Sequence, residues 1–133
     1  MARSAFEELD VYRLSERVAD EIWRIVVRWD IFARDTVGKQ LVRAADSIGA
    51  NIAEGHGRGS DVDHRRFIRI ARGSLNETAH FLRRAYRRDL LKASQIEKLK
   101  PIVEELAPRL NAYLRSIGRS RHTTSNKQRA TSN

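Results

Sequence analysis

The sequence predicts an all-α protein, an up-down-up-down four-helix bundle with short loops, followed by a disordered basic C-terminal tail. Apolar residues recur three and four positions apart through four long stretches, the period of a helix with one face in a core. Glycine-rich or polar breaks separate the stretches, so successive helices double back on one another. At 133 residues the chain makes one domain, and a chain of this size can bury about two-thirds of its unfolded surface. The expected division is a bundle over residues 1–118, with helices at about 9–30, 36–55, 61–91 and 94–117, and a tail over 119–133.

Helix one carries two apolar stripes. Val11, Leu14, Val18, Ile22, Ile25 and Trp29 make the first, and Tyr12, Ala19, Trp23 and Val26 lie beside it. A face this wide contacts two neighbours within the bundle or adds an intersubunit surface. Trp23 is a candidate for the second role and equally for the core. Ile31 to Asp35 reads as a short connection, with Asp35 or Thr36 capping helix two.

Helix two organises the chain. Leu41, Ala45, Ile48 and Ile52 share one face, and Gln40, Ala44, Ser47, Asn51 and Glu54 form a small and polar stripe beside it. Small residues admit another backbone closely, and a polar group trapped there without a partner costs roughly 1–3 kcal/mol. Burial on two sides is therefore expected, with Asn51 or Glu54 bonded to Ser74 or to an arginine across the contact. A solvated polar flank is the alternative. Gly55 is expected to close the helix. The loop His56-Gly57-Arg58-Gly59 lacks the Lys-Ser/Thr pair and the preceding strand of a Walker loop, and Asp61 and Asp63 would repel a phosphate at the next helix start. It reads as a sharp αα-turn, with an anion site at His56 and Arg58 as the alternative.

Helix three is long, ~45 Å for thirty residues. Its expected buried face comprises Phe67, Ile70, Ala71, Ser74, Leu75, Thr78, Phe81, Leu82 and Ala85, with His64 on the surface. The opposite face is the most informative feature of the chain. Arg65, Arg69, Arg72, Asn76, His80, Arg83 and Arg87 follow one another at the helical repeat and form a single outward line, which Arg66, Arg84 and Arg88 broaden. Arginine offers planar bidentate donors to phosphate and stacks on bases. A merely solvated face also suits arginine, but acidic partners at i±4 are few here, so that reading must tolerate like-charge repulsion.

Ser94-Gln95-Ile96-Glu97 has the pattern of a capping box opening helix four. Leu99, Ile102, Val103, Leu106, Leu110, Tyr113, Leu114 and Ile117 mark its apolar face. Pro101 and Pro108 lie inside it, so the helix kinks there or Ser94 to Leu99 is a separate turn. Gly118 ends the helix. Arg119 to Asn133 is polar and basic without hydrophobic period, the composition of a disordered arm, and Arg119 and Arg121 can follow a nucleic-acid backbone.

Charge is uneven along the chain. Residues 1–60 carry nine Lys/Arg against ten Asp/Glu, whereas residues 61–92 carry nine against four and residues 119–133 four against none. The net charge of +9 thus lies in helix three and the tail, which points to a localised surface for a polyanion. There is no cysteine, and no stretch approaches the ~20 apolar residues of a membrane span, so a soluble cytoplasmic protein is expected. The histidines His56, His64, His80 and His122 show no metal-ligand spacing, and no histidine is placed by sequence to activate Ser47 or Ser74. No metal, cofactor or catalytic activity is expected.

The run Gln40-Leu-x-Arg-Ala-x-x-Ser-Ile-x-x-Asn-Ile-Ala-Glu-Gly55, continued by Gly57-Arg58-Gly59-Ser60 and Phe67-Ile-Arg-Ile-Ala-Arg-Gly-Ser-Leu-Asn-Glu77, resembles the four-helix bundle family of 23S ribosomal-RNA intervening-sequence proteins. It is more distantly similar to the accessory proteins of diversity-generating retroelements. The resemblance extends from about Phe6 to about Ile117. It implies a helical bundle assembled into a ring-shaped homo-oligomer, a pentamer, that handles nucleic acid, and it brings no catalytic residues. The chain departs from the pattern at Phe32-Ala33, where the family has Pro after Phe, and at Val37-Gly38-Lys39 before Gln40, so the first hairpin is expected to differ.

The residues and the resemblance together point to a non-catalytic oligomeric nucleic-acid-binding scaffold, for RNA by family likeness. Its expected contacts are Arg65, Arg69, Arg72, Asn76, His80, Arg83, Arg84, Arg87, Arg88, Arg119 and Arg121. Aromatics fall on the apolar faces, so no exposed stacking platform is expected and backbone charge should dominate. The alternative is an adaptor whose basic face docks an acidic protein, such as the reverse transcriptase of a retroelement.

Overall fold

The computed structural model describes residues 5–119. The remainder of the basic tail, including Arg121 and His122, lies outside the described residues. After a 3₁₀ turn at Ala5–Glu8, four long helices follow: α1 (Asp10–Val26), α2 (Lys39–His56), α3 (Asp61–Arg87) and α4 (Ala93–Ser116). Helix α2 packs on both α1 and α3, and α4 packs on both α3 and α1, which gives a four-sided bundle with α1 and α3 on opposite corners. The core draws on the stripes read from the sequence, with Val18, Ile22, Leu41, Ile48, Ile52, Leu106 and Leu110 fully buried, and adds Ile68, which is not among the expected core residues. Each such side chain contributes about 1.5–3 kcal/mol of burial.

The first hairpin departs from expectation. α1 stops at Val26 rather than near Trp29, and the Trp29 indole N–H donates to the Leu90 carbonyl at 3.0 Å, tying the α1–α2 turn to the α3–α4 turn. Asp30, and neither Asp35 nor Thr36, caps the next helical segment by accepting from the Ala33 amide at 3.1 Å. The chain is already helical at Ile31–Ala33, and a π-helical stretch at Arg34–Gly38 leads directly into α2. With the helix already begun, Thr36 bonds back to the Phe32 carbonyl at 2.7 Å instead of capping.

α2 and α3 are the most intimate pair. Helix α2 runs to His56, so Gly55 is an internal helical residue and not its terminator. Its lack of a side chain matters for packing: a Cβ there would lie 2.8 Å from that of Phe67. The polar stripe is satisfied as the two-sided burial of α2 requires. Ser74 Oγ donates to Ser47 Oγ at 3.0 Å, and Asn51 Nδ2 donates to the Ser47 carbonyl at 2.8 Å and to Ser47 Oγ at 3.0 Å. Asn51 therefore reaches Ser74 through Ser47, while Glu54 pairs with Arg58 at 2.6 Å in its own helix end. Among the described residues no buried side-chain nitrogen or oxygen lacks a partner.

The buried stripe of α3 is the expected one except at two positions, with Ile68 joining it and Ile70 leaving it. Ile68, Ala71, Leu75 and Thr78 are buried, whereas Ile70 is 42% exposed. Helix α4 starts two residues earlier than a cap at Ser94 would allow: Lys92 stands at the cap, and its amide donates to Gln95 Oε1 at 2.9 Å. The helix continues through Pro101 and Pro108, and Ser94 to Leu99 is not a separate turn. No helix among the described residues is long and apolar enough to cross a membrane.

Candidate nucleic-acid interface

The arginine line follows from where α3 buries its other side. With Ile68, Ala71, Leu75 and Thr78 held in the core, the positions Arg69, Arg72, Asn76, His80, Arg83 and Arg87 are turned outward, and all six are exposed, as is Arg88. Arg65 and Arg84 are half-buried. Arg69, Arg83, Arg84, Arg87 and Arg88 make no ion pair with any described residue. The guanidinium donors of the four exposed ones, Arg69, Arg83, Arg87 and Arg88, face water, the condition under which a polyanion can take them up.

Two of the three N-terminal arginines, Arg65 and Arg72, are partly engaged. Arg65 Nη1 donates to the Ile117 carbonyl at 3.4 Å, meeting an orphan acceptor at the end of α4. Arg72 Nη1 donates to Asn111 Oδ1 at 3.2 Å. Both contacts cross from α3 to α4, so the start of the row is braced at Arg65 and Arg72 on either side of Arg69, and its C-terminal half is open. Gly118, at φ +86°, sits against Asp61 and Arg65, which brings the exposed Arg119 to the braced end. His80 packs edge-on against Phe81 with ring centroids 5.0 Å apart.

The glycine loop is occupied with its own structure. Arg58 pairs with Glu54 and lies 4.8 Å from the Phe67 ring centre, while Arg66 lies 4.6 Å from the same ring and 3.6 Å from Asp63. These contacts clamp the α2–α3 turn and leave Arg58 little freedom for an anion. The Ser60 side chain caps α3 by accepting from the Asp63 amide at 3.2 Å.

A second cluster does not follow from the sequence pattern. His64, expected on the surface, is half-buried, and its Nε2 shares a 3.0 Å hydrogen bond with the Tyr113 hydroxyl. Burial holds the imidazole below its ordinary range, with His56 acting in the same direction, and burial raises the Tyr113 hydroxyl. The signal lies in the spacing of His64, Ile68, Ala71 and Leu75, which is the true core stripe of α3. The cluster ties the α2–α3 turn to α4, and among the described residues no group of three His, Asp or Glu side chains can hold a metal.

Aromatic placement also differs from expectation. Trp23 is 57% exposed, Phe32 79% and Tyr86 58%, so exposed rings are present after all. Trp23 and Phe32 belong to the α1–α2 corner. Tyr86 lies on α3 between Arg83 and Arg87.

Comparison with known proteins places the fold. Residues 7–112 match the sequence profile of the family described as 23S rRNA-intervening sequence protein. A solved structure of a protein of unknown function from the S23 ribosomal protein family of Bacteroides thetaiotaomicron superposes with a TM-score of 0.64 at 24% identity, covering 77% of this chain and 99% of that one. No curated protein matches.

Proposed function

The chain belongs to the 23S rRNA-intervening sequence protein family, and from that premise we propose that it is a non-catalytic nucleic-acid-binding scaffold that takes RNA along α3. The observation that carries this reading is the open row of Arg69, Arg83, Arg87 and Arg88, exposed on one helix and without carboxylate partners among the described residues. Such a row attracts a phosphate backbone and releases its counterions. Asn76 and His80 supply hydrogen-bonding groups between the two arginine-bearing halves. Arg65, Arg72 and Arg84 contribute from engaged or half-buried positions, and Arg119 and Arg121 extend the contact into the tail. RNA is preferred over DNA on family membership alone.

The scaffold is a homo-oligomer, a pentameric ring by family likeness, and repetition of a modest row of phosphate contacts multiplies affinity. The exposed apolar corner of Trp23, Val27, Ile31 and Phe32 favours contact with a second copy.

The test is charge reversal at matched net charge. Arg69→Glu/Arg87→Glu and Arg17→Glu/Arg43→Glu change net charge equally, and all four positions are exposed, but only the first pair lies on the row. The first pair should abolish most binding to a single-stranded RNA and flatten the salt slope by about 0.7 for each phosphate no longer neutralised. Equal weakening by both pairs would show that only net charge matters. An assembled oligomer that binds no RNA would instead assign the face to an acidic protein partner.

A further inference from the structure

An apolar groove opens where the arginine row ends. It lies between the C-terminal half of α3 and the N-terminal half of α4, the loosest of the four helix–helix seams, and has a volume of about 600 Å³. Leu82, Leu91, Leu99 and Val103 form its floor, and Tyr86 and Arg83 stand on its α3 rim. Lys100 faces them from α4, where it makes only a long 3.9 Å ion pair with the exposed Glu104. The Tyr86 hydroxyl makes no hydrogen bond with any described residue. The arginine row therefore leads into a cleft that is apolar below, aromatic and cationic on its α3 lip, and edged on α4 by the Lys100–Glu104 pair.

We infer that this groove receives an unstacked nucleobase, and hence that the protein binds single-stranded nucleic acid in preference to duplex. The inference rests on the reading of α3 as a nucleic-acid-binding face and deepens it by naming the form of the ligand. Two arguments select a base over other apolar occupants. Arg83 and Arg87 flank Tyr86 within one helical turn, so a chain stacked on Tyr86 has phosphates within reach of both, whereas an aliphatic or lipid occupant uses neither the ring face nor the paired cations. The volume lies within the range of small-molecule sites and suits one or two nucleotides. A duplex hides its base faces and offers only its backbone, so it engages the row and leaves the groove empty.

The experiment compares three probes at one salt concentration: a 12-nucleotide single-stranded RNA, the same RNA paired into a duplex, and an abasic oligonucleotide of the same length. The wild-type protein should bind the single strand about tenfold or more tighter than either of the others. Tyr86→Ala should weaken the single strand alone, by about fivefold to a hundredfold, the range for removal of one base–aromatic stack. Tyr86→Phe should retain binding, and Tyr86→Leu, which keeps apolar bulk without a π face, should behave as Tyr86→Ala. If Tyr86→Ala and Tyr86→Leu match the wild type, or the abasic strand binds as well as the RNA, the groove is not a base site while the backbone reading stands. If none of the three probes binds at low salt, both readings fall.

Discussion

A Cβ at Gly55 would meet the Cβ of Phe67 at 2.8 Å and the His64 carbonyl at 3.2 Å, so even a methyl group must push α2 and α3 apart. Gly55→Ala is predicted to destabilise the fold by about 1–3 kcal/mol, the range for overpacking. Gly57→Ala, whose new methyl would approach nothing nearer than 3.6 Å, should change stability by no more than about 0.5 kcal/mol. Urea denaturation of the two variants checks this, and equal destabilisation would contradict it. His64 gives a pH prediction at the same scale. Its imidazole is held low by burial first, then by His56, with Asp61 opposing and Arg65 adding repulsion. The unfolded chain therefore takes up this proton more readily than the folded one. The stability that neutral His64 contributes is complete above the ordinary histidine range of about 6.5 and is lost as pH falls through it. His64→Gln should make the decline of Tm from about pH 7.5 to about pH 5.5 shallower than in the wild type; an unchanged decline would place the titration elsewhere. The sequence hides His64 because a histidine beside Arg65 and Arg66 in the first turn reads as surface, although its spacing from Ile68, Ala71 and Leu75 puts it on their face.

At the scale of elements, the four helices are legible in the sequence because each carries an apolar stripe several turns long, and such stripes outlast errors in any one residue. Their ends are less legible. Asp30, Asp35 and Thr36 are all competent caps, and the choice of Asp30 depends on Trp29 docking against Leu90, sixty-one residues away. The Ser-x-x-Glu pattern at Ser94 is overridden in the same way, since Gln95 answers the Lys92 amide once the chain has turned through Asp89 at φ +58°. One element-scale prediction concerns Gly73 in the middle of α3. A Cβ added there would meet nothing within 4 Å, so Gly73→Ala should stabilise the helix by about 1 kcal/mol. Thermal unfolding would show it as a raised Tm; a lowered Tm would mean that the exposed face of α3 is packed against a second chain at that point.

On the scale of the whole molecule, the α1–α2 side carries acids and arginines together, whereas the α3 row carries arginine with few acids. Glu16, Asp20 and Asp46 gather on α1 and α2, and the Asp46 carboxyl is raised by burial and by the charge of Asp20. The row on α3 lies across the bundle from α1. This contrast is visible in the uneven charge of the sequence, and the row itself in its four-and-three spacing. The groove beside Tyr86 is not, because it depends on how loosely α3 and α4 pack, which no pattern within either helix records.

A phosphate-binding row on α3 must show itself in the salt dependence of RNA binding by the unmodified protein. Affinity for a single-stranded RNA measured from low to physiological salt, with mass determined on the same sample, should fall linearly on logarithmic axes. Three phosphates neutralised per subunit, by Arg69, Arg83 and Arg87 for instance, predict a slope of about −2 or steeper, and repetition in an oligomer steepens it further. Absence of binding at low salt, or a slope near zero, would contradict the account and leave the arginine row as a surface for another protein.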